Sequence, residues 1–285
     1  QAFGNTLQDV PPDILSVELS PAAPAAGEPV LVRAVIRVDP DMSAFRVSRA
    51  VLRFSTDGVT YQAVDMALSP GEQDLWEARI PGQPAGTTVR AAVAGWDQVG
   101  NAAFQIPVQS AVSRESLFPV LSDPRDHGIP DGLDILEMAY GADAETLYYC
   151  QTLAGPFQSF TMLGASANAM AVNNDDLRRK PHLSHNENEG PYIALAPQFG
   201  IATLVSIEDV LKGRAIKDVP GISVSARGNR VCARAPLATV IKDPAIGVKV
   251  FSATVALNPG TEELVLADCS PYAILYPGGA QYTVK

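Results

Sequence analysis

Residues 49–66 read RAVLRFSTDGVTYQAVDM. Two runs in which apolar and polar side chains alternate flank Asp57-Gly58. A period of two is what a strand with one buried face requires, because successive side chains point to opposite sides of a sheet. An Asp-Gly pair between two such runs is a hairpin signal, since glycine takes the positive φ that a tight turn demands.

The same pattern extends outward in both directions. Upstream, ILSVELS (14–20) and EPVLVRAVIRV (28–38) alternate in the same way. Downstream, DLWEARIPGQPAGTTVRAAVAGWDQVGNAAF (74–104) gives a short strand, a Pro/Gly turn, a long strand and a closing Gly-Asn turn. Turn signals recur roughly every 8–12 residues, the cadence of a β-sandwich. The order FSTDG, LWEARIPG and AGTTVRAAVAGWDQVGNAA resembles the immunoglobulin-like or fibronectin type III-like modules of secreted bacterial proteins, in which a D..GN turn closes the sandwich. The resemblance implies such a module over residues 13–110, and modules of this kind serve mostly as spacers and adhesive units. The preceding arm, residues 1–12, reads either as a plain terminus or as a segment that adds a strand to a neighbour.

A linker at 111–121 leads into residues 122–285, where SDPRDHGIPDGLDILEMAYGADAETLYY (122–149) opens a second strand-rich unit. Two strands are expected across a turn at 141–145, followed by SFTMLGASANAMAVNN, YIALAPQ, IATLVSI, GISVSARGNRVCARAPL, GVKVFSATVAL and ELVLADCSPYAILYP. Only SIEDVLKGRAI (206–216) carries a helical period, and residues 176–191 read as an inserted surface loop. This half resembles the DOMON-like and carbohydrate-binding β-sandwich modules of bacterial surface proteins and glycoside hydrolases. The matching positions are Asp123-Pro124, Asp126, Gly128, Asp134-Ile135, Leu147-Tyr148, Gly228-Asn229, Pro236-Leu237 and Asp268. The expected fold is therefore all-β, with two β-sandwich domains in tandem. The first is immunoglobulin/fibronectin type III-like, and the second is jelly-roll or DOMON-like.

Composition narrows the function classes. Residues 1–113 carry 7 arginines against 12 acids, and residues 114–285 carry 14 basic residues against 19 acids, so each half is near −5. Nucleic-acid binding needs a positive face and is set aside. The longest charge-free run, 146–174, is broken by glutamine, glycine, proline and asparagine, which excludes a spanning helix and suits buried strands. A chain beginning at Gln1 with few lysines suits an exported, cell-surface protein whose signal peptide has been removed. Of three cysteines, Cys150, Cys232 and Cys269, an exported protein would pair two. Three pairings are open, and Cys232–Cys269 is favoured because both read as strand residues near the end of one sandwich.

Four aspartates, Asp123, Asp126, Asp131 and Asp134, crowd the start of the second half. Closely spaced carboxylates broken by glycine can surround calcium from one bent loop, but the 3, 5, 3 spacing is not that of an EF-hand. The DOMON-like resemblance implies a structural calcium ion here; a solvated Asx-capped turn is the bland alternative. Asn173, Asn174, Asp175 and Asp176 form a further polar cluster at a strand end. His182 and His185 stand three apart without an evident third metal ligand, and His127 lies inside the aspartate loop. Nucleophile and phosphate-cradle signatures (GxSxG, SxxK, HExxH, GxGxxG) are absent. Trp76 and Trp96 sit at alternating strand positions and read as core, which leaves tyrosines such as Tyr148 and Tyr149 for stacking on a sugar.

The expectation is a secreted, non-catalytic structural or adhesive surface protein, partnered by other subunits or by itself. The alternative is an accessory protein that binds polysaccharide beside a calcium-stiffened loop, and a hydrolase using unrecognised carboxylates is the weakest reading.

Overall fold

The computed structural model describes residues 10–41, 43–126, 128–157, 166–173, 192–196, 201–205, 217–218, 221–241, 247–258 and 263–285. The polar cluster beyond Asn173, the histidine pair, His127, most of the N-terminal arm and the expected helix at 206–216 lie outside them. The regular structure of the described residues is almost wholly strand, as the alternating patterns predict, in three sheets. Its only described α-helix is one short turn, α1 (Leu237–Val240). No described helix is long and apolar enough to cross a membrane.

The first half pairs two sheets face to face. One holds β1 (Asp13–Ser20), β2 (Val30–Arg37), β6 (Leu75–Ile80) and β5 (Ala67–Leu68) in the order β1-β2-β6-β5. The facing strands are β4 (Gln62–Asp65), β3 (Val47–Ser55), β7 (Thr88–Asp97) and β8 (Ala102–Ile106). Their shared core includes Ile36, Leu52, Phe54, Trp76 and Ile80. Layer spacing is tight at Gly95, where a Cβ would stand 2.7 Å from Ile36 Cγ2.

The hairpin of residues 49–66 forms, but not around a two-residue turn. Strand β3 ends at Ser55 and β4 begins at Gln62, leaving a longer loop. Asp57 organises it: its Oδ1 accepts from the amides of Val59 and Thr60 and from Ser55 Oγ, each at 2.8 Å. These donors hold the Asp57 carboxyl at about 2, below its ordinary 3.8. Gly58 sits beside it at φ +72°.

The second half contributes a five-stranded sheet in the order β16-β17-β11-β10-β9: Ser223–Arg227, Arg230–Pro236, Thr146–Leu153, Ile135–Ala142 and Phe118–Ser122. Across the core from it run β12 (Ser166–Asn173), β18 (Val248–Asn258), β19 (Glu263–Cys269) and β20 (Ala273–Pro277). Strand β20 then lies parallel to β8, with Leu275 opposite Phe104. One sheet is thereby continuous from β15 (Lys217–Asp218), β14 (Ile201–Val205) and β13 (Tyr192–Ala196) through β12, β18, β20, β8, β7 and β3 to β4.

This β8–β20 pair has an apolar core on each side. Phe104, Ile106 and Leu275 face the core of the second half, whereas Ala103, Ile274 and Tyr276 face that of the first. The last strand, β21 (Ala280–Thr283), pairs with β7, and Tyr282 and Val284 enter the first core. Residues 273–284 follow the second unit in sequence but complete the packing of the first.

The junction turn is held by Asp97 and Asn101. Asp97 Oδ1 accepts from the Val99 and Asn101 amides, both at 2.9 Å, and Asn101 Oδ1 accepts from the Tyr272 amide at 2.9 Å. The D..GN turn thus closes the β7–β8 hairpin and also docks the entry to β20.

Cys150 is bridged to Cys232, not Cys232 to Cys269. The two bridged residues are direct register partners on β11 and β17, with Cα atoms 4.1 Å apart. Cys269 lies on β19 of the other sheet, opposite Ala253 of β18. Sequence position placed Cys232 and Cys269 near one another along the chain, but strand pairing separated them.

Candidate functional site

Two places on the second half bring polar side chains together. The first is the aspartate loop. Asp134 is almost fully buried, and its Oδ1 accepts from the Asp126 amide at 3.3 Å. Asp268, on β19, accepts from the Ile135 amide at 2.6 Å, and Thr254 Oγ1 donates to Leu133 O, so the loop is tied to the facing sheet. Burial, with the charges of Asp268, Asp126 and Asp134 added to it, raises the Asp123 carboxyl from 3.8 to about 7.

The four sequence-predicted carboxylates do not meet at one point. Asp131 turns outward to an ion pair with Arg125, whose Nε also stands 3.8 Å from Asp134 Oδ2. That Oδ2 is buried without a hydrogen bond among the described residues. Among the described residues no three of His, Cys, Asp and Glu converge closely enough to hold a metal ion. Arg125 therefore shares the loop with the carboxylates, and a cation bound there would have to displace it from Asp131 and Asp134.

The second place is a cleft of about 370 Å³ on the outer face of the five-stranded sheet. Its floor is the Cys150–Cys232 bridge, and one wall is the segment between β8 and β9. Period two aligns the floor in rows: Tyr148, Arg234 and Ser223 are cross-strand neighbours, as are Cys150, Cys232 and Ser225. Val112 and Leu117 pack on the bridge from above. Gly141 permits that approach, since a Cβ there would stand 2.7 Å from Gln109 Oε1 and 2.8 Å from Leu117 Cδ2.

Two guanidiniums are held in place around this cleft. Arg114 Nη2 donates to Ser225 Oγ at 2.8 Å, and Arg234 Nε donates to Ser223 Oγ at 2.8 Å. The Tyr148 hydroxyl donates to Asp143 Oδ2 at 2.9 Å, which leaves its ring on the cleft wall. The aspartate loop was legible as a polar cluster in the sequence; the cleft was not, because Arg114 comes from a linker more than a hundred residues before Arg234. The signal available was RVCAR (230–234), which puts Arg230, Cys232 and Arg234 on one side of a strand.

The tryptophans behave as the alternation predicts. Trp76 is core, and Trp96 is half-buried with Nε1 donating to Val120 O at 2.5 Å. Arg53 lies over the rings of Trp96, Phe104 and Phe118, where burial and then Arg49 lower its guanidinium to about 10. These residues cement the junction between the halves and do not form a sugar platform.

No protein-family model matches the chain, and no curated protein matches it. Solved structures with some likeness include an α-L-rhamnosidase from Streptomyces avermitilis, 12% identical, with TM-score 0.23 over 90% of this chain and 24% of that one. Another is the α-L-rhamnosidase of Aspergillus terreus, 11% identical, with TM-score 0.23 over 90% and 28%. A third is the collagen adhesin of S. aureus, 10% identical, with TM-score 0.18 over 94% of both chains. The chain spans about a quarter of the rhamnosidase chains' length. Similarity at this level carries no argument about what the chain does.

Proposed function

We propose that this chain is a non-catalytic, extracellular structural or adhesive module that acts by holding partners at its surface. The observation that carries the reading is the β8–β20 wall, apolar on both faces, which joins two sandwiches into one body suited to bearing load between attachment points. Several buried polar groups have architectural tasks that fit this reading: Asp97 closes a turn, Asp268 receives a backbone amide, and Tyr149 bonds Ser252 across the core. The disulfide suits an oxidising compartment. The first half's two facing sheets, β1-β2-β6-β5 against β4-β3-β7-β8, support its resemblance to immunoglobulin and fibronectin type III-like modules.

Light scattering and negative-stain microscopy of the native secreted material test the reading. Ordered self-association, or co-purification with a cell-surface assembly, is the expected result. A strictly monomeric chain that binds no cell surface, or one that turns over a polysaccharide, would overturn it.

Calcium enters as part of this proposal only in a conditional form: an ion at the aspartate loop must displace Arg125 from Asp131 and Asp134. Chelator should then lower the melting temperature and added calcium restore it. An unchanged melt sinks the cation and leaves the structural reading untouched.

A further inference from the structure

The cleft over the disulfide has a chemistry that neither the aspartate loop nor the sandwich architecture requires. The chain as a whole carries a formal charge of −10, yet both charged residues lining this cleft are arginines. Among the described residues neither Arg114 nor Arg234 forms an ion pair, nor does the neighbouring Arg230. The acids nearby are differently engaged. Asp143 is taken up by the Tyr148 hydroxyl and the Glu145 and Thr146 amides. Glu115, next to Arg114 in the chain, is exposed and is held below its ordinary value chiefly by its own backbone amide and Ser113, with a smaller through-space attraction to Arg230 and Arg114 and no ion pair to either.

Two guanidiniums without an ion pair among the described residues, facing one cavity, make it a locally positive cleft on an otherwise acidic chain, a place that draws an anion. Here both are fixed. Each donates one hydrogen bond to a serine on β16, which orients the planar fork and leaves its remaining donors available. Ser223 and Ser225 are two residues apart on one strand face, which sets the anchor points about 7 Å apart. That span suits a single sugar ring carrying a carboxylate, whereas a bare inorganic ion would reach only one guanidinium well. The Tyr148 ring and the serine hydroxyls add a flat apolar surface and hydroxyl partners, the combination that saccharides use.

We propose that this cleft binds an acidic saccharide, with the carboxylate of a uronate residue received by one of the two guanidiniums, Arg114 or Arg234, a ring hydroxyl by the other, and the ring lying against Tyr148. The proposal rests on the reading of the chain as a module that holds ligands without transforming them, and it gives that reading a substrate class. It also assigns the disulfide a local task. Bridging β11 to β17 under the cleft keeps Tyr148 and Arg234, direct register partners, in fixed relation.

The test is isothermal titration of the full-length chain with a glucuronate-containing trisaccharide, a neutral glucose trisaccharide of the same length, and inorganic sulfate. The uronate should bind at least about tenfold more tightly than the neutral sugar, and sulfate should compete with it weakly. Arg234→Gln, at an exposed position, and Arg114→Gln should each weaken uronate binding about tenfold or more, the loss expected of one charge-assisted contact. An unchanged thermal melt of each variant confirms that the fold survives. Equal affinity for neutral and acidic sugars, binding of sulfate alone, no binding at all, or variants that bind as well as the native chain would each overturn the proposal. Failure here is separable from failure of the surface-module reading: a chain that assembles but ignores uronate loses the cleft alone, and one that binds uronate without assembling loses the assembly alone.

Discussion

Strands β2 and β8 belong to the same sandwich and obey different rules. In β2, Val30, Val32, Ala34 and Ile36 are buried, while Arg33 and Arg37, on the opposite face, reach water. In β8, Ala102, Ala103, Phe104 and Ile106 are all buried, and its parallel partner β20 is buried through Ala273, Ile274, Leu275 and Tyr276. A strand with one wet face must alternate; a strand with a core on each side must not. The contrast teaches that the boundary between the halves is itself a core element. A flexible hinge would have left β8 with one polar face.

That contrast can be broken most severely by removing residues 272–285. The truncated chain should lose its cooperative melting transition altogether, because both cores are opened at once. A first half that still melts sharply, seen by fluorescence of Trp76 and Trp96, would show that the shared wall is dispensable. Next in size, Phe104→Ala should cost about 3–5 kcal/mol in chemical denaturation, the toll of emptying a fully buried aromatic site. Because Phe104 lies at the junction, tryptophan fluorescence and the reductant sensitivity of Cys150–Cys232 should shift to the same denaturant midpoint. Two separate midpoints would mean that the halves unfold independently.

Replacing Cys150 and Cys232 together by alanine should cost about 2–4 kcal/mol, since the bridge closes a long loop and restricts the unfolded chain. Unlike Phe104→Ala, this change lies on the outer face of the five-stranded sheet, away from the β8–β20 pair. The Cys269→Ala variant should leave the bridge intact, as intact-mass measurement under non-reducing conditions would show.

A dependence on pH sharpens the comparison at the aspartate loop. Asp123 holds its proton up to about 7 when folded, against 3.8 ordinarily, so the folded chain binds more protons than the unfolded one between those values. Stability should therefore be greater near pH 4 than near pH 7 on account of this group, and fall as pH rises through that window. Asp123→Asn should flatten that slope in melts run across the range. An unaltered slope would place the pH dependence elsewhere.

The alternation in residues 49–66 was enough to announce strands, because a half-buried strand writes its period directly into the chain. The Asp57-Gly58 signal identified the hairpin but understated its loop, since Ser55 and the Asp57 carboxylate recruit amides that a two-residue turn would not need. The aspartate cluster was equally visible, yet Arg125, inside the same stretch, takes Asp131 away from the others, and their separations depended on how the loop folds back onto β19. The disulfide and the cleft were less accessible still. Each requires knowing which strand lies beside which, and Cys150 and Cys232 are 82 residues apart.

By itself, then, the order of residues determined a β-built chain with turns at Asp57-Gly58 and Asp97–Asn101, because those features depend on local backbone preference and on side-chain periods of a few residues. Only the tertiary structure decided that β20 lies beside β8, that Cys150 meets Cys232, and that Arg114 and Arg234 face one cleft. Those are choices among many long-range pairings of similar local merit. They are resolved by which arrangement buries both faces of the apolar strands at once.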